Sequence, residues 1–161
     1  MSSPRRDLMV AWIIALVAVD LASKFWAVNS LDDGPVELPG PVDLQLGYNS
    51  GTAFGLFSNV PTLLIVVATG AIAVALIMAW WIGRTPAGPA ALIIAGAVAN
   101  AIDRLEAGSV VDMLHTGWWP TFNIADIYIT TGVAWWAILS MRSERQTPSN
   151  IEPTGPARST T

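Results

Sequence analysis

The sequence predicts an all-helical membrane protein with four transmembrane helices and both termini in the cytoplasm. Of its 161 residues, 53% are hydrophobic and only 12% are charged, and the mean hydropathy is +0.51. A soluble domain carries about 25% charged residues, so lipid is the expected solvent for much of this chain. The order of hydrophobic segments and the uneven placement of basic residues then predict the spans and their orientation.

Four hydrophobic segments are long enough to cross a hydrocarbon core of about 30 Å, which needs roughly 20 helical residues. The second segment contains no charged residue, whereas the other three carry polar residues close to one end. Prolines occur at the predicted helix starts, where the missing N–H has no cost. The predicted spans are residues 8–28, 61–83, 87–104 and 122–141.

The placement of lysine and arginine predicts which side of the membrane each loop faces. The 29–60 loop has no basic residue and four acidic ones, so it is expected to face outward. Both termini are then cytoplasmic. Six of the eight basic residues lie on that cytoplasmic side: Arg5, Arg6, Arg84, Arg142, Arg145 and Arg158.

The same pattern predicts one membrane domain at residues 1–145 and a disordered cytoplasmic tail at 146–161, which is rich in Pro, Ser and Thr. A cleavable secretory signal is an alternative for the first segment, since Arg5 and Arg6 precede an apolar run. No small-x-small cleavage site stands out after that run, and three further spans follow it.

Polar residues inside three of the spans are predicted to share one depth. At about 1.5 Å of rise per residue, Asp20 lies roughly 18 Å up the first span and Asn100 about 21 Å up the third. The fourth span descends, so Asp126 lies only about 6–7 Å below the outer surface. Charged groups in hydrocarbon are costly unless they pair or face a wet cavity. We therefore expect one polar site near the outer face.

Spacing suggests different roles within this site. Asp20 and Lys24 are four residues apart on one helix face, and we interpret them as a structural ion pair. Asn100 and Arg104 have the same spacing, and Arg104 can bind a carboxylate or a backbone carbonyl. Asp103 is expected to face elsewhere on its helix, in a structural role.

Two other carboxylates have no basic residue within a helical turn. They are Asp126 and Asp112, the latter in a short outer loop. Two such carboxyls facing each other would share a proton, one acting as base and the other as acid. That is the chemistry of an aspartic protease, in which the ionised carboxylate activates water and the protonated one polarises the scissile carbonyl.

The outer segment 42–56 predicts a short strand followed by a turn. Val42, Leu44 and Leu46 alternate with polar or small residues. Asn49 to Gly51 then has the composition of a turn, and Gly51 permits close approach of a backbone. An extended edge of this kind could hold a peptide for proteolysis.

Composition excludes several other classes of function. Without cysteine the chain can form neither disulfides nor thiolate metal sites, and its one histidine, His115, cannot build a histidine cluster. The basic residues are scattered, so no nucleic-acid surface is expected. A small transporter or proton-relay subunit remains an alternative, because buried Asp and Lys also mark ion paths. A non-catalytic assembly or chaperone protein is a third possibility.

Five short motifs along the chain resemble the lipoprotein signal peptidases (type II signal peptidases) of bacteria. Each is weak alone, but together they occur in order and on the expected sides of the four spans. The motifs are Asp20-Leu-Ala-Ser-Lys24, Tyr48-Asn-Ser-Gly-Thr-Ala-Phe-Gly55, Asn100-Ala-Ile-Asp-Arg104, Val110-Val-Asp112 and Phe122-Asn-Ile-Ala-Asp126.

The resemblance implies a catalytic pair at Asp112 and Asp126, and a four-helix fold with a small extracytoplasmic sheet. It implies an aspartic endopeptidase of the bacterial plasma membrane that cleaves diacylglyceryl-modified prolipoproteins just before the lipidated cysteine. No metal or other cofactor is implied, and we expect a monomer that works in membrane lipid. The positions that line the site or hold substrate would be Asn49, Gly51, Asn100, Arg104 and Asn123.

The chain departs from the family pattern ahead of its Asp-Arg pair. Where the family has Gly-Gly-Ala-x-Gly-Asn, this sequence has Ala95-Gly-Ala-Val-Ala-Asn100. Ala99 in place of glycine adds a methyl group at an expected helix contact. The loop between Asp112 and Phe122 is also short, but neither departure alters a proposed catalytic group.

Overall fold

The computed structural model of the chain describes residues 4–51 and 61–144. Within these residues the predicted spans are all helical, and their ends lie within a few residues of the predicted ones. The order is α1 (Pro4–Ser30), β1 (Asp43–Asn49), α2 (Thr62–Trp81), α3 (Ala87–Ala107), β2 (Val110–His115) and α4 (Ile124–Glu144). The predicted tail at 146–161 and the second half of the Tyr48–Gly55 motif lie outside the described residues.

Among the described helices, three are long and apolar enough to cross a membrane, judged by length and composition. They are Arg6–Ser30, Thr62–Trp81 and Ile124–Arg142. α3 is as long as α4, at 21 residues, but it ends in the charged segment around Asp103 and Arg104. Its surroundings also differ, because α3 contacts each of the other three helices.

Small residues allow α3 to occupy this central position. Ten of its residues are buried, most of them alanine, glycine or isoleucine. The backbone of Gly96 approaches the carbonyl oxygen of Ala125 on α4 so closely that a Cβ would collide with it. Ala99, the departure from the family pattern, is fully buried in the same helix. The glycine that the α3–α4 contact requires at this level is therefore Gly96.

The two strands form an antiparallel pair at the end of the bundle where α1 finishes. Leu44 lies opposite Leu114 and Gly47 opposite Asp112, so β1 carries one extra residue between these pairs. Such a bulge bends the strand. Met113 of β2 is buried against Ala27 and Leu31 at the end of α1, which fixes the sheet to the helices.

This arrangement confirms the strand predicted around Leu44 and corrects one expectation. Asp112 does not lie in a loop, because β2 runs through it and its side chain is only 3% exposed. The segment Val110–His115 has no clear alternation of polar and apolar residues. Its strand conformation depends on pairing with β1, more than 50 residues earlier in the chain.

Candidate active site

The start of α4 is held by reciprocal hydrogen bonds between Asn123 and Asp126. The Asn123 side-chain oxygen accepts the backbone N–H of Asp126 at 3.0 Å, and the Asp126 carboxylate accepts the backbone N–H of Asn123 at 3.3 Å. This is a capping box, which satisfies two N–H groups that the first turn of a helix leaves unpaired. A third, that of Ala125, donates to Asp20 Oδ1 on α1 at 2.7 Å.

Lys24 lies between two carboxylates in the buried space between α1 and α3. Its Nζ is 2.7 Å from Asp20 Oδ2 and 2.8 Å from Asp103 Oδ2. The pair with Asp20 was predicted from their spacing and is confirmed. Asp103, however, was expected to face elsewhere, and that expectation is wrong. It faces α1, and its carboxylate also accepts the backbone N–H of Val111 at 3.3 Å.

Asn100 joins this ion cluster to the two candidate carboxyls. Its Oδ1 accepts a hydrogen bond from Lys24 Nζ at 2.8 Å, and its Nδ2 donates to Asp126 Oδ1 at 3.0 Å. Asn123 Nδ2 donates both to Asn100 Oδ1 at 3.2 Å and to Asp112 Oδ1 at 2.7 Å. The polar groups that helical rise predicted to lie at one level are therefore in contact with one another.

Arg104 connects the same helix to the turn after β1. Its Nη2 donates to the carbonyl oxygen of Gly51 at 2.8 Å, and its Nη1 donates to the carbonyl oxygen of Asn100 at 3.2 Å. The turn itself is closed by the backbone N–H of Gly51, which donates to Asn49 Oδ1 at 2.9 Å. The predicted turn at Asn49 to Gly51 is thus confirmed, and Arg104 binds backbone carbonyls, one of the two options that its spacing allowed.

Asp112 is in an environment that disfavours its charge. Burial, and after it the nearby charge of Asp126, raise the pKa of its carboxyl to about 6, although hydrogen bonds from Asn123 and Asn49 and the charge of Lys24 act in the opposite direction. Neither Asp112 nor Asp126 forms an ion pair with a described side chain. Both carboxyls are nonetheless held by N–H donors.

A cavity of about 480 Å³ opens beside Asp126. Asp126 is only half-buried, so its carboxyl can meet molecules in this space. The walls combine apolar and aromatic side chains with several threonine hydroxyls, so the space suits a mainly apolar chain with some polar groups. The lining residues are Asn49, Thr116, Trp118, Trp119, Thr121, Phe122, Asp126, Ile127, Ile129, Thr130 and Thr131.

The structure thus brings together every residue that the sequence singled out for the site. Within the described ranges no group of three or more His, Cys, Asp or Glu side chains is arranged to hold a metal ion. Sequence reasoning missed two links, the bond from Lys24 to Asn100 and the capping box of α4. The second had a readable signal, since Asn123-x-x-Asp126 precedes an apolar run as a capping box does.

Comparison with known proteins identifies the family. The model of the signal peptidase (SPase) II family matches residues 12–142, which include every residue of the network above. The chain belongs to the signal peptidase II family. Relatives named lipoprotein signal peptidase support this: that of Xylella fastidiosa (strain 9a5c) is 33% identical over 170 residues, covering 92% of this chain and 98% of the relative. That of Mycobacterium avium (strain 104) is 34% identical over 152 residues, with coverage of 86% and 81%.

Solved structures agree on the fold. A structure described as a bacterial membrane enzyme has a TM-score of 0.78 and 23% sequence identity, covering 91% of this chain and 94% of that one. A second with the same description has a TM-score of 0.71, 24% identity, and coverage of 88% and 95%. As a member of the signal peptidase II family with several membrane-spanning helices, the chain is a multi-pass membrane peptidase.

Proposed function

We propose that this signal peptidase II family member is an aspartic endopeptidase with Asp112 and Asp126 as its catalytic pair. It removes the signal peptide from diacylglyceryl-modified prolipoproteins by cleaving before the lipidated cysteine. The observation that carries the proposal is that one buried residue, Asn123, binds both carboxyls: its side chain binds Asp112 and its backbone binds Asp126.

The contacts of the two carboxyls suggest how they divide the chemistry. Asp126 accepts hydrogen bonds from Asn100 Nδ2 and from the backbone N–H of Asn123, and it also lines the cavity in which substrate and water would lie. Asp112 is buried in β2, where the protonated form is favoured. Asp126 would therefore take a proton from water while Asp112 donates a hydrogen bond to the scissile carbonyl.

The remaining polar residues support this pair. Asn49 and Gly51 form the turn beside the cavity, and Arg104 holds that turn to α3. A peptide lying along this turn would have its scissile bond next to Asp126. The ion cluster of Asp20, Lys24 and Asp103 is linked to the catalytic pair through the side chain of Asn100 and the backbone of Ala125.

We further propose that α3 is a fourth membrane span and that both termini are cytoplasmic. α3 carries polar residues near its end, but Asn100 and Asp103 there are bound by Lys24 of α1 and Asp126 of α4, so they need not face lipid. The placement of Arg84 and Arg142 on the side opposite the sheet supports this orientation. The site then lies near the extracytoplasmic face of the bacterial plasma membrane, where the enzyme acts as a monomer.

The apolar packing in the other half of the bundle, as far as the structure describes it, favours a peptidase over a proton relay. Met9, Leu76, Ile93 and Ile94 form an apolar cluster there. A proton path across the membrane would need polar side chains or water at this level. A polar site confined to one end suits hydrolysis of a peptide at the membrane surface.

The test is release of a signal peptide by purified protein in detergent or lipid. A prolipoprotein carrying diacylglycerol on its lipobox cysteine is incubated with wild type, Asp112→Asn or Asp126→Asn, and the products are separated by gel electrophoresis. Both variants should lose activity by at least about 10³-fold, because one carboxyl cannot perform both acid and base roles.

Asp33→Asn is the matched control, since Asp33 is exposed in the loop before β1 and lies outside the site. It should process substrate at the wild-type rate. Retained cleavage by Asp126→Asn, with the variant folded, would contradict the proposal. If the same substrate were cleaved at an equal rate without its diacylglyceryl group, only the proposed substrate class would be contradicted.

A further inference from the structure

Lys24 makes a contact that a purely structural ion pair does not require. Its Nζ already has two carboxylate partners, Asp20 and Asp103, yet it also donates to Asn100 Oδ1 at 2.8 Å. The side chain of Lys24 is 3% exposed, so water does not compete for this bond. An ammonium group can only donate hydrogen bonds.

This bond determines which way the Asn100 amide faces. Because the oxygen must point at Lys24, the NH₂ group points at Asp126, where it donates at 3.0 Å. Amide oxygen and nitrogen can otherwise exchange places with little change in shape. A cation at one end of the side chain therefore fixes a donor at the other end.

The orientation of Asn123 follows from the same constraint. Its Nδ2 donates to the oxygen that Lys24 has fixed, Asn100 Oδ1, and also to Asp112. The other end gives an independent check, since Asn123 Oδ1 accepts the backbone N–H of Asp126, a group that can only donate. Each of the two amides therefore has hydrogen-bond partners at both ends, and both partners require the same orientation of the amide.

We propose that Lys24 is a positioning residue for the catalytic pair, acting by fixing the Asn100 amide so that its NH₂ group faces Asp126. This inference rests on the proposed function. Lys24 then does more than form an ion pair, because the hydrogen bonds from Lys24 to Asn100 and from Asn100 to Asp126 keep a donor on the Asp126 carboxylate.

Other charged side chains also surround Asp126, so a test of Lys24 has to separate its effect from theirs. Asp112 faces it from β2, Arg104 from α3, and Lys24 from α1 through Asn100. If Asn100 turns over, its oxygen faces Asp126 instead, and two acceptors meet. A proton would then be needed between them, which removes the base.

The test compares Lys24→Met/Asp103→Asn with Asp103→Asn alone. The double variant removes one positive and one negative charge together, so the cluster keeps its net charge. Asp103→Asn alone leaves the ion pair with Asp20 and the bond from Lys24 to Asn100 intact. Folding is checked by accumulation in the membrane and by the melting temperature in detergent.

The double variant should lower kcat by roughly 10- to 100-fold, the effect of losing one charge-assisted hydrogen bond. The acid limb of its kcat/KM profile should move to higher pH by about one unit, since a unit corresponds to about 1.4 kcal/mol of charge stabilisation. Asp103→Asn should keep the wild-type pH profile. A purely structural Lys24 would change the melting temperature and leave the pH profile where it is.

A folded double variant with the wild-type pH profile overturns the proposal, and so does an equal shift in Asp103→Asn. Should the double variant not fold, the wild-type protein is labelled with ¹⁵N-asparagine, and Asn100→Leu identifies the Asn100 signal. The Asn100 NH₂ signal should then shift with pH as the catalytic pair titrates, and an unchanged signal overturns the proposal. Activity in Asp126→Asn would instead refute the catalytic pair itself, so the two failures are distinguishable.

Discussion

Asn123 Nδ2 lies 2.7 Å from Asp112 Oδ1, and Asn123 is fully buried at the position directly before α4. The relative position of the two carboxyls therefore depends on the start of a helix, not on a loop. Asp126 is on the first turn of that helix, and Asp112 is on the strand that faces it. A pair held in this way is ordered before any peptide binds, which avoids reorganisation during the reaction.

Asn123→Ser should separate the two roles of this residue. Serine is as good a helix cap as asparagine, so the free energy of unfolding should fall only by the cost of the lost buried amide bonds, about 1–3 kcal/mol. The hydroxyl cannot reach Asp112 while capping α4, so kcat should fall roughly 10- to 100-fold. Chemical unfolding in detergent and the processing assay measure the two effects. An unchanged kcat would show that Asn123 acts only as a cap.

The pH dependence of processing should report the raised pKa of Asp112. The pair works with one proton, so kcat/KM falls once Asp112 ionises in the free enzyme. With a pKa raised to about 6 by burial, the alkaline limb should have an apparent midpoint near that value. The midpoint belongs to the coupled pair. An activity that stays constant to pH 9 would show that Asp112 does not supply the proton.

Asp112→Asn should be inactive yet more stable than wild type at high pH. A raised pKa means that the native state favours protonated Asp112, so this group stabilises the fold below pH 4 and that contribution is lost as pH rises through about 6. Above that pH the ionised carboxyl costs on the order of 2–3 kcal/mol, which asparagine does not. Melting curves of both proteins at pH 4 and pH 8 measure the difference, which should be present only at pH 8.

Much of the site could be predicted because its residues lie on helices. The pair of Asp20 and Lys24 follows from a spacing of four residues on one helix, and the common depth of Asn100 and Asp126 follows from helical rise. Neither inference needs to know how the helices pack. The helix bounds agree with the predicted segments to within a few residues for the same reason, since hydrophobic length alone sets them.

Rotation about the helix axes could not be predicted. Asp103 faces Lys24 because α3 is turned so that Gly96 meets α4, and this depends on packing between helices distant in sequence. The strand through Asp112 likewise depends on pairing with β1 across the intervening helices. The direction of the Asn100 amide also depends on how the helices pack, since its partners Lys24 and Asp126 come from different helices.

Gly96→Ala tests the helix contact that sets this rotation. A Cβ at residue 96 would collide with the Ala125 carbonyl, next to the N–H that Asp20 binds. α3 and α4 would have to move apart, at a cost of about 1–3 kcal/mol. Because the carboxyl of Asp126 and its donor on Asn100 lie on these two helices, kcat should fall along with the melting temperature.

Gly70→Ala on α2 is the matched control. It adds the same methyl group to a membrane helix, but a Cβ at residue 70 meets no atom within 4 Å. Alanine is the better helix former by about 1 kcal/mol, so this variant should be as stable as wild type or slightly more stable, with unchanged processing. If Gly96→Ala behaved like Gly70→Ala, the close approach of α3 and α4 would not be what positions Asp126 beside Asn100.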